Sequence, residues 1–321
     1  MLNDFSSPPL WVRCSVPLIK CLPVGRYVTM NALCNFFSRL VGTPKPFSAI
    51  TSLGYSALRF HCDLRDSIAR EVCFTGHYEP QETLLIQHFL EEEMVFVDVG
   101  ANWGYFTLLG ADQVGPRGTV VSLEPDPRLF ALLNSNISLN RFSQVRPLEL
   151  AATDAAQTLT LHGYHEEGRN WGVSTLTPNN LNDEKLFQIR SSRLDEVLDD
   201  LKIEHVDLLK MDIEGAEDLA LQGMADGLRT HRYRRLLIEL HPAHLAERGI
   251  QINRVLEPLQ RAGYRGAWID HRKAANRKAA YRRQFNFKDF LLPMESCQPL
   301  DAWPHTFWVS PGLSTSNCTT I

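Results

Sequence analysis

An α/β fold built on a doubly wound, mostly parallel sheet is predicted by three features of the sequence. Short apolar runs alternate with amphipathic helical patterns from about residue 79 onward, the signature of a sheet covered on both faces. The runs Val95–Val99 and Leu236–Leu240 lack the period-two alternation of a half-exposed strand. Helix-start and turn residues punctuate the runs at regular intervals.

Taken in order, residues 1–50 read as irregular, broken by Pro8, Pro9, Pro17, Pro23, Pro44 and Pro46. Tyr27–Val41 is the stretch there with helical spacing, through Met30, Leu33, Phe36, Phe37 and Leu40. It is either a helix packed on a larger body, or a cap over an active site or a partner surface. Pro80–Leu90 reads as an amphipathic helix, and Met94–Val99 as a first strand ending at Asp98 and Gly100. Tyr105–Ala111 follows as a helix, then a Gly115-Pro116-Arg117-Gly118 turn and a second strand, Thr119–Leu123, which stops at Glu124. Asp126 precedes Pro127, so the next helix starts with a side-chain acceptor and a residue whose missing N–H is no loss. Leu129, Leu132, Leu133 and Ile137 give that helix one apolar stripe. Val145–Ala152, Val206–Met211 and Arg235–Leu240 are further strands, Thr158–His162 alternates like an edge hairpin, and Glu217–Gly223 and Val255–Ala262 are helices.

Composition excludes several classes. The 321 residues are 44% hydrophobic and 22% charged, ordinary for a globular protein, and the formal charge of −4 gives no footprint of a nucleic-acid binder. No apolar run approaches the roughly 18 residues of a membrane helix. Leu10–Val24 resembles a signal peptide only superficially, because Arg13, Pro17 and Lys20 interrupt it. The seven cysteines all lie outside residues 74–296 and include no CxxC pair. An odd number in a chain of this length points to a reducing, cytoplasmic compartment rather than a disulfide framework.

The loop Asp98-Val99-Gly100-Ala101-Asn102-Trp103-Gly104 stands at the carboxyl end of the first strand, where open parallel sheets bind ligands. Its spacing is G-x-x-x-G rather than the G-x-G-x-x-G that cradles a dinucleotide pyrophosphate. The acid before the first glycine suits an ammonium group, and Glu124, at the end of the second strand, suits ribose hydroxyls. Together they describe S-adenosylmethionine. A tight turn with solvated carboxylates is the reading that needs no ligand.

The run Phe96-Val97-Asp98-Val99-Gly100-Ala101-Asn102-Trp103-Gly104-Tyr105-Phe106-Thr107-Leu108 resembles the first motif of the FkbM-type methyltransferases, a class I S-adenosylmethionine-dependent group. Gly76-His77-Tyr78-Glu79-Pro80, Glu124-Pro125-Asp126-Pro127, the segment Val206–Glu217 containing Met211-Asp212-Ile213-Glu214-Gly215, and Leu237-Ile238-Glu239-Leu240-His241 match in the same order. The resemblance implies a seven-stranded Rossmann-like sheet and methyl transfer, typically to the hydroxyl of a sugar, polyketide or other small alcohol. It implies that Asp98, Gly100, Asn102 and Gly104 line the methionine part of the cofactor, that Glu124 takes the ribose, and that Ala151, Ala152, Thr153 and Asp154 flank the adenine. Trp103 departs from the small or aliphatic residue usual at its place, which is expected to alter packing rather than activity.

Methyl transfer is in-line displacement, so alignment and a base for the hydroxyl proton carry the chemistry. Asp212, Glu214, Glu239 and His241, at the ends of two strands expected to be neighbours, are the candidate catalytic groups. Each has a plainer alternative: Glu214-Gly215 as a helix-entry turn, His241 as a polar residue before Pro242. A divalent cation held by Asp212 with Glu239 is neither demanded nor excluded, and nothing argues for zinc. Tyr78 and Glu79 either close over the cofactor or serve a helix start, and Gly168–Thr175 is either a substrate wall or a surface turn. Arg261–Arg283 holds eight Lys or Arg against Asp270 alone. That run is either a solvated face or an attractor for an anionic acceptor. The expected layout is a helical N-terminal extension over 1–75, packed on the body or capping it, a methyltransferase domain over 76–295 and a tail over 296–321. The expected partner is a small-molecule or glycan acceptor, with no nucleic acid and no transmembrane segment. The rivals are a nicotinamide oxidoreductase on a related fold and a non-catalytic cofactor-binding module.

Overall fold

The computed structural model describes residues 5–22, 25–51, 53, 58–164, 174–176, 184–272, 286–294 and 302–313. Two helices, α1 (Leu10–Cys21) and α2 (Arg26–Val41), open the chain, followed by the antiparallel pair β1 (Phe47–Ile50) and β2 (Arg59–Cys62) and by α3 (Ser67–Thr75). Leu10–Cys21 was read as irregular, yet it is helical through Pro17: Val12, Ser15 and Ile19 are buried at helical spacing, and that burial outweighs the proline. Asp66 starts α3 by accepting a hydrogen bond from the Ala69 amide at 2.8 Å.

The central layers follow as α4 (Pro80–Phe89), β3 (Val95–Val99), α5 (Tyr105–Val114), β4 (Thr119–Leu123), α6 (Pro127–Asn140) and β5 (Val145–Leu148). The Asp126 carboxylate accepts from the Arg128 amide at 2.9 Å, and Pro127 occupies the first turn. The run expected as one strand over Val145–Ala152 divides: Ala151–Ala152 (β6) leaves the main sheet to pair with β9 (Glu184–Ser192). With β7 (Gln157–Tyr164) and β8 (Ser174–Thr175), these form a second sheet of order β6-β9-β7-β8, so the hairpin expected at Thr158–His162 sits within it. Next come α7 (Leu194–Asp200), β10 (Leu208–Met211), α8 (Glu217–Gly223), α9 (Ala225–Arg229), β11 (Arg235–Glu239), α10 (Pro242–Glu247), α11 (Ile252–Arg261), β12 (Arg265–Ile269), β13 (Leu291–Pro293) and β14 (His305–Val309).

The main sheet has the order β13-β12-β14-β11-β10-β3-β4-β5. Pairing is parallel from β5 through β11 and antiparallel from β11 through β13. The eight described strands exceed the seven expected by the edge strand β13. Residues 296–321 are not a tail throughout, because β14 is inserted between β11 and β12. All five of its residues, His305–Val309, are buried, and an apolar run flanked by two strands loses more surface there than it would in solvent.

Strand alternation assigns the two faces. Phe96, Val120, Leu208, Leu237 and Phe307 join the core beneath α4, α5 and α6. Val97, Val121, Leu209, Leu236 and Trp308 join the core beneath α7, α8, α9 and α11. The chain steps outward from β3 to β5 and then returns to β10 on the other side of β3. The crevice at the carboxyl ends of β3 and β10 is therefore the topological switch point. No helix among the described residues is long and apolar enough to cross a membrane.

Candidate active site

A cavity of about 570 Å³ opens at that switch point, lined among others by Tyr78, Gly100, Asn102, Glu124, Ala151, Ala152, Asp212, Glu214, Glu239 and His241. Gly100 has φ +82° and lies so close to the Asp212 carbonyl that a Cβ would collide with the oxygen. Only glycine lets the loops after β3 and β10 meet this way. Asn102 is also left-handed, at φ 51°, and its amide donates to Glu124 Oε2 at 2.8 Å. Glu124 Oε1 accepts from the Asp126 amide at 2.9 Å. Burial pushes the Glu124 carboxyl up to about 8 even though these amide bonds favour its charged form.

On the other wall, His241 is surrounded by carboxylates. Its Nδ1 lies 2.7 Å from Glu217 Oε1, and its Nε2 lies 3.2 Å from Glu214 Oε2 and 3.7 Å from both Asp212 Oδ1 and Glu239 Oε1. Burial alone would lower its pKa, but the Glu217 hydrogen bond and the charges of Glu214 and Asp212 raise it to about 10. The surrounding carboxylates thus favour the imidazolium form when no cation is bound, and that form has no lone pair to accept a proton. Glu239 is held down to about 2: burial acts against this, and the charge and hydrogen bond of His305, with His241 and Lys210, prevail. Asp212 is shifted upward by burial and by the Glu239 charge, against the pull of Lys210. Glu214, at φ 50°, rises to about 7 through burial, offset by His241.

The four candidate catalytic residues thus converge on one rim, and Gly100, Asn102, Glu124 and Ala152 line the same cavity. The other four predicted cofactor residues do not line it. Asp98 points with Phe96 toward the α5 side, where its Oδ2 accepts from Thr107 Oγ1 at 2.6 Å; burial raises it to about 6 against the pull of Lys210. Gly104 packs against Leu133 at the start of α5, Thr153 Oγ1 donates to the Ala155 carbonyl at 3.0 Å, and Asp154 is exposed. Trp103 is buried, tilted against Phe60 at 6.2 Å, so its bulk is absorbed in packing.

Several site residues escaped the sequence. Lys210 stands opposite Asp98 in register, 3.4 Å from Asp212 Oδ2 and 4.6 Å above the Phe106 ring. A lysine between the apolar Leu209 and Met211, in a strand covered on both faces, was the signal for it. His305 lies beside Glu239 by register and reaches Glu82 Oε1 at 3.0 Å, as His271 does at 2.7 Å. Glu82 is therefore held well below its ordinary value by these two histidines, although burial opposes it. Glu79, which the sequence did single out, is half-buried at φ 42° before Pro80, and loss of solvent raises its carboxyl well above the usual range. Of the predicted loop Gly168–Thr175, residues 168–173 lie outside the described residues, and Ser174 lines the cavity. Residues 273–283 of the basic run, with five of its eight cations, also lie outside them.

The model of the Methyltransferase FkbM domain matches residues 98–265, just over half of the chain. Methyltransferase sdnD of Sordaria araneosa is 31% identical over 159 residues, covering 40% of this chain and 59% of that protein. AMB antimetabolite synthetase AmbE of Pseudomonas aeruginosa is 30% identical over 185 residues, covering 47% of this chain and 8% of that protein. 2-O-methyltransferase NoeI of Sinorhizobium fredii is 24% identical over 176 residues, covering 51% of this chain and 70% of that protein. The chain thus spans less than two-thirds of the length of AmbE and of sdnD. With residues 98–108 of the first motif, Glu124 and the Asp212 and Glu239 strand ends inside the matched span, the chain belongs to the FkbM methyltransferase family.

Proposed function

We propose that the protein transfers a methyl group from S-adenosylmethionine to a hydroxyl oxygen of a sugar or secondary-metabolite acceptor. The observation that carries this reading is one cavity shared by Glu124 on one wall and Asp212, Glu239 and His241 on the other. Its volume of about 570 Å³ is in the range of cofactor pockets. The donor set also fits: Glu124 presents its carboxyl oxygens to ribose hydroxyls, Gly100 and Asn102 approach the amino-acid portion, and Leu150 with Ala152 offers apolar contact to the adenine. S-adenosylmethionine supplies an electrophilic methyl carbon on a neutral leaving group. Asp98 stands behind this set, with one carboxylate oxygen accepting from Thr107.

Asp212 takes the hydroxyl proton, because its upward shift makes it a better acceptor than Glu239. His241 and Lys210 hold the carboxylates in place and stabilise their charge, while Glu239 and Glu214 offer acceptors to further hydroxyls. The printed name of NoeI supports oxygen as the methylated atom. Five free cysteines, Cys14, Cys21, Cys34, Cys62 and Cys73, support a cytoplasmic setting. The absence of G-x-G-x-x-G tells against a nicotinamide cofactor.

A second reading adds a divalent cation. Ligand atoms of Asp212, Glu239 and His241 lie within 4.8 Å of one another, and Glu217 would orient the imidazole through Nδ1. Titration calorimetry with S-adenosylhomocysteine, before and after chelator and with added Mg²⁺, tests both. No binding under any condition refutes the proposal; binding and turnover that ignore chelator refute the cation.

A further inference from the structure

Among the described residues, every exposed large apolar side chain except Leu186 and Trp303 lies on α1 or α2. These two helices are already packed on their inner sides. Val12 and Ile19 of α1 and Met30 and Cys34 of α2 are buried, and Trp11 stacks on Phe37 at 4.6 Å. Yet α1 turns Leu10, Cys14 and Leu18 outward at four-residue spacing, and α2 does the same with Val28, Ala32, Phe36 and Leu40. Each helix therefore has two apolar faces, one satisfied and one in solvent. Contiguous apolar surface of this kind marks an interaction site.

Charge identifies the occupant. Residues 5–62 contain no Asp or Glu, whereas the whole chain is acidic at −4. Arg13, Arg39 and Lys45 are exposed around the apolar stripes. Arg26 is turned inward, donating to the carbonyls of Leu22 and Lys20 at 2.9 and 2.7 Å, and so braces the turn between the helices. Exposed apolar stripes with exposed cations and no acid in the same segment, on helices too short to span a bilayer, have the physical character of an interfacial membrane anchor. A second copy of the chain suits this face poorly, since a twofold contact would bring its cations together with no acid to pair them.

We propose that α1 and α2 dock this protein on an anionic lipid surface. Leu10, Leu18, Val28, Phe36 and Leu40 enter the boundary between headgroups and acyl chains, and Arg13, Arg39 and Lys45 meet lipid phosphates. The site stays close to that surface because α3, which packs against both helices, also supplies Ser67 and Ile68 to the cavity wall. The inference is independent of the methyl acceptor.

Vesicle flotation of the full chain tests it, comparing phosphatidylcholine alone with phosphatidylcholine carrying about 30% phosphatidylglycerol. The protein floats with the anionic vesicles only, and about 0.5 M salt weakens the binding. Phe36→Ser with Leu40→Ser lowers the partition coefficient at least about tenfold. Arg13→Ala, Arg39→Ala and Lys45→Ala each lower it about fivefold. The two sets are read separately alongside circular dichroism, so a variant that unfolds leaves the other set to decide. Failure to float with either vesicle overturns the proposal, and so does equal flotation with neutral lipid. It is also overturned if the protein is a dimer in solution that Phe36→Ser with Leu40→Ser dissociates, which gives the face to a second copy.

Discussion

Glu239 and His305 stand opposite each other in the antiparallel β11–β14 pair, with His305 Nε2 3.4 Å from Glu239 Oε1. His305 Nδ1 reaches on to Glu82, so one imidazole links a cavity carboxylate to helix α4 behind it. Both Glu239 and Glu82 are drawn below their ordinary range by this contact despite their burial. The sheet itself thus sets the charge state of the rim.

Removing that link takes one counter-charge from each of two carboxylates, leaving Glu82 with His271 and Glu239 with His241 and Lys210. His305→Leu is expected to lower stability by about 3–5 kcal/mol, the range for breaking one partner out of a buried pair. Urea unfolding of the two proteins measures it, and a loss below about 1 kcal/mol contradicts the role given to His305.

Acid and alkali act on different members of the network in chelator-treated protein. The Glu239 contribution is complete above its ordinary value of 4.5 and fades as pH falls toward about 2, so wild type loses stability in acid more steeply than Glu239→Gln. The His241 contribution is complete below 6.5 and fades as pH rises through about 10, so wild type converges on His241→Gln in alkali. Unfolding midpoints followed across pH check both signs.

Asp212→Asn is expected to slow turnover by about 10²–10⁴ while S-adenosylhomocysteine affinity is retained. In wild type, kcat/KM should rise with pH through a pKa above the ordinary 3.8 of an aspartate, and the variant should lose that limb. An unchanged profile removes Asp212 as the proton acceptor.

Gly100→Ala puts a methyl group against the Asp212 carbonyl at a φ of +82°. Overpacking and the left-handed backbone together should lower stability by about 2–4 kcal/mol. A crystal structure of the variant should show the loops after β3 and β10 pushed apart; wild-type stability contradicts this account.

Glu124→Gln replaces one carboxylate oxygen with an amide that cannot accept from Asn102 or Asp126. Cofactor affinity by calorimetry should fall about 10–100-fold, the scale of one charged hydrogen bond. Unaltered affinity would move the ribose elsewhere in the cavity.

What the sequence made legible was local. The first two strands, the Asp126-Pro127 helix start and the glycine-bearing loop follow from adjacent residues, and the structure has them. The surroundings of Asp98 were not legible, because its place at a strand end says nothing of the pleat, which sets its carboxylate against Thr107. β14 was missed because its partners, β11 and β12, lie far back in the chain, and an apolar run of five residues carries no sign of what it pairs with. His271, His305 and Glu82 meet only through that pairing.

The position of β14 also orders events during synthesis. Every other strand of the main sheet leaves the ribosome first, and until β14 follows, β11 and β12 each present an open edge with nothing between them. Glu239 lacks the His305 imidazole over the same interval. The nascent chain is therefore both adhesive and without a finished rim until the same five residues arrive, so sheet closure and competence for chemistry come as a single late step.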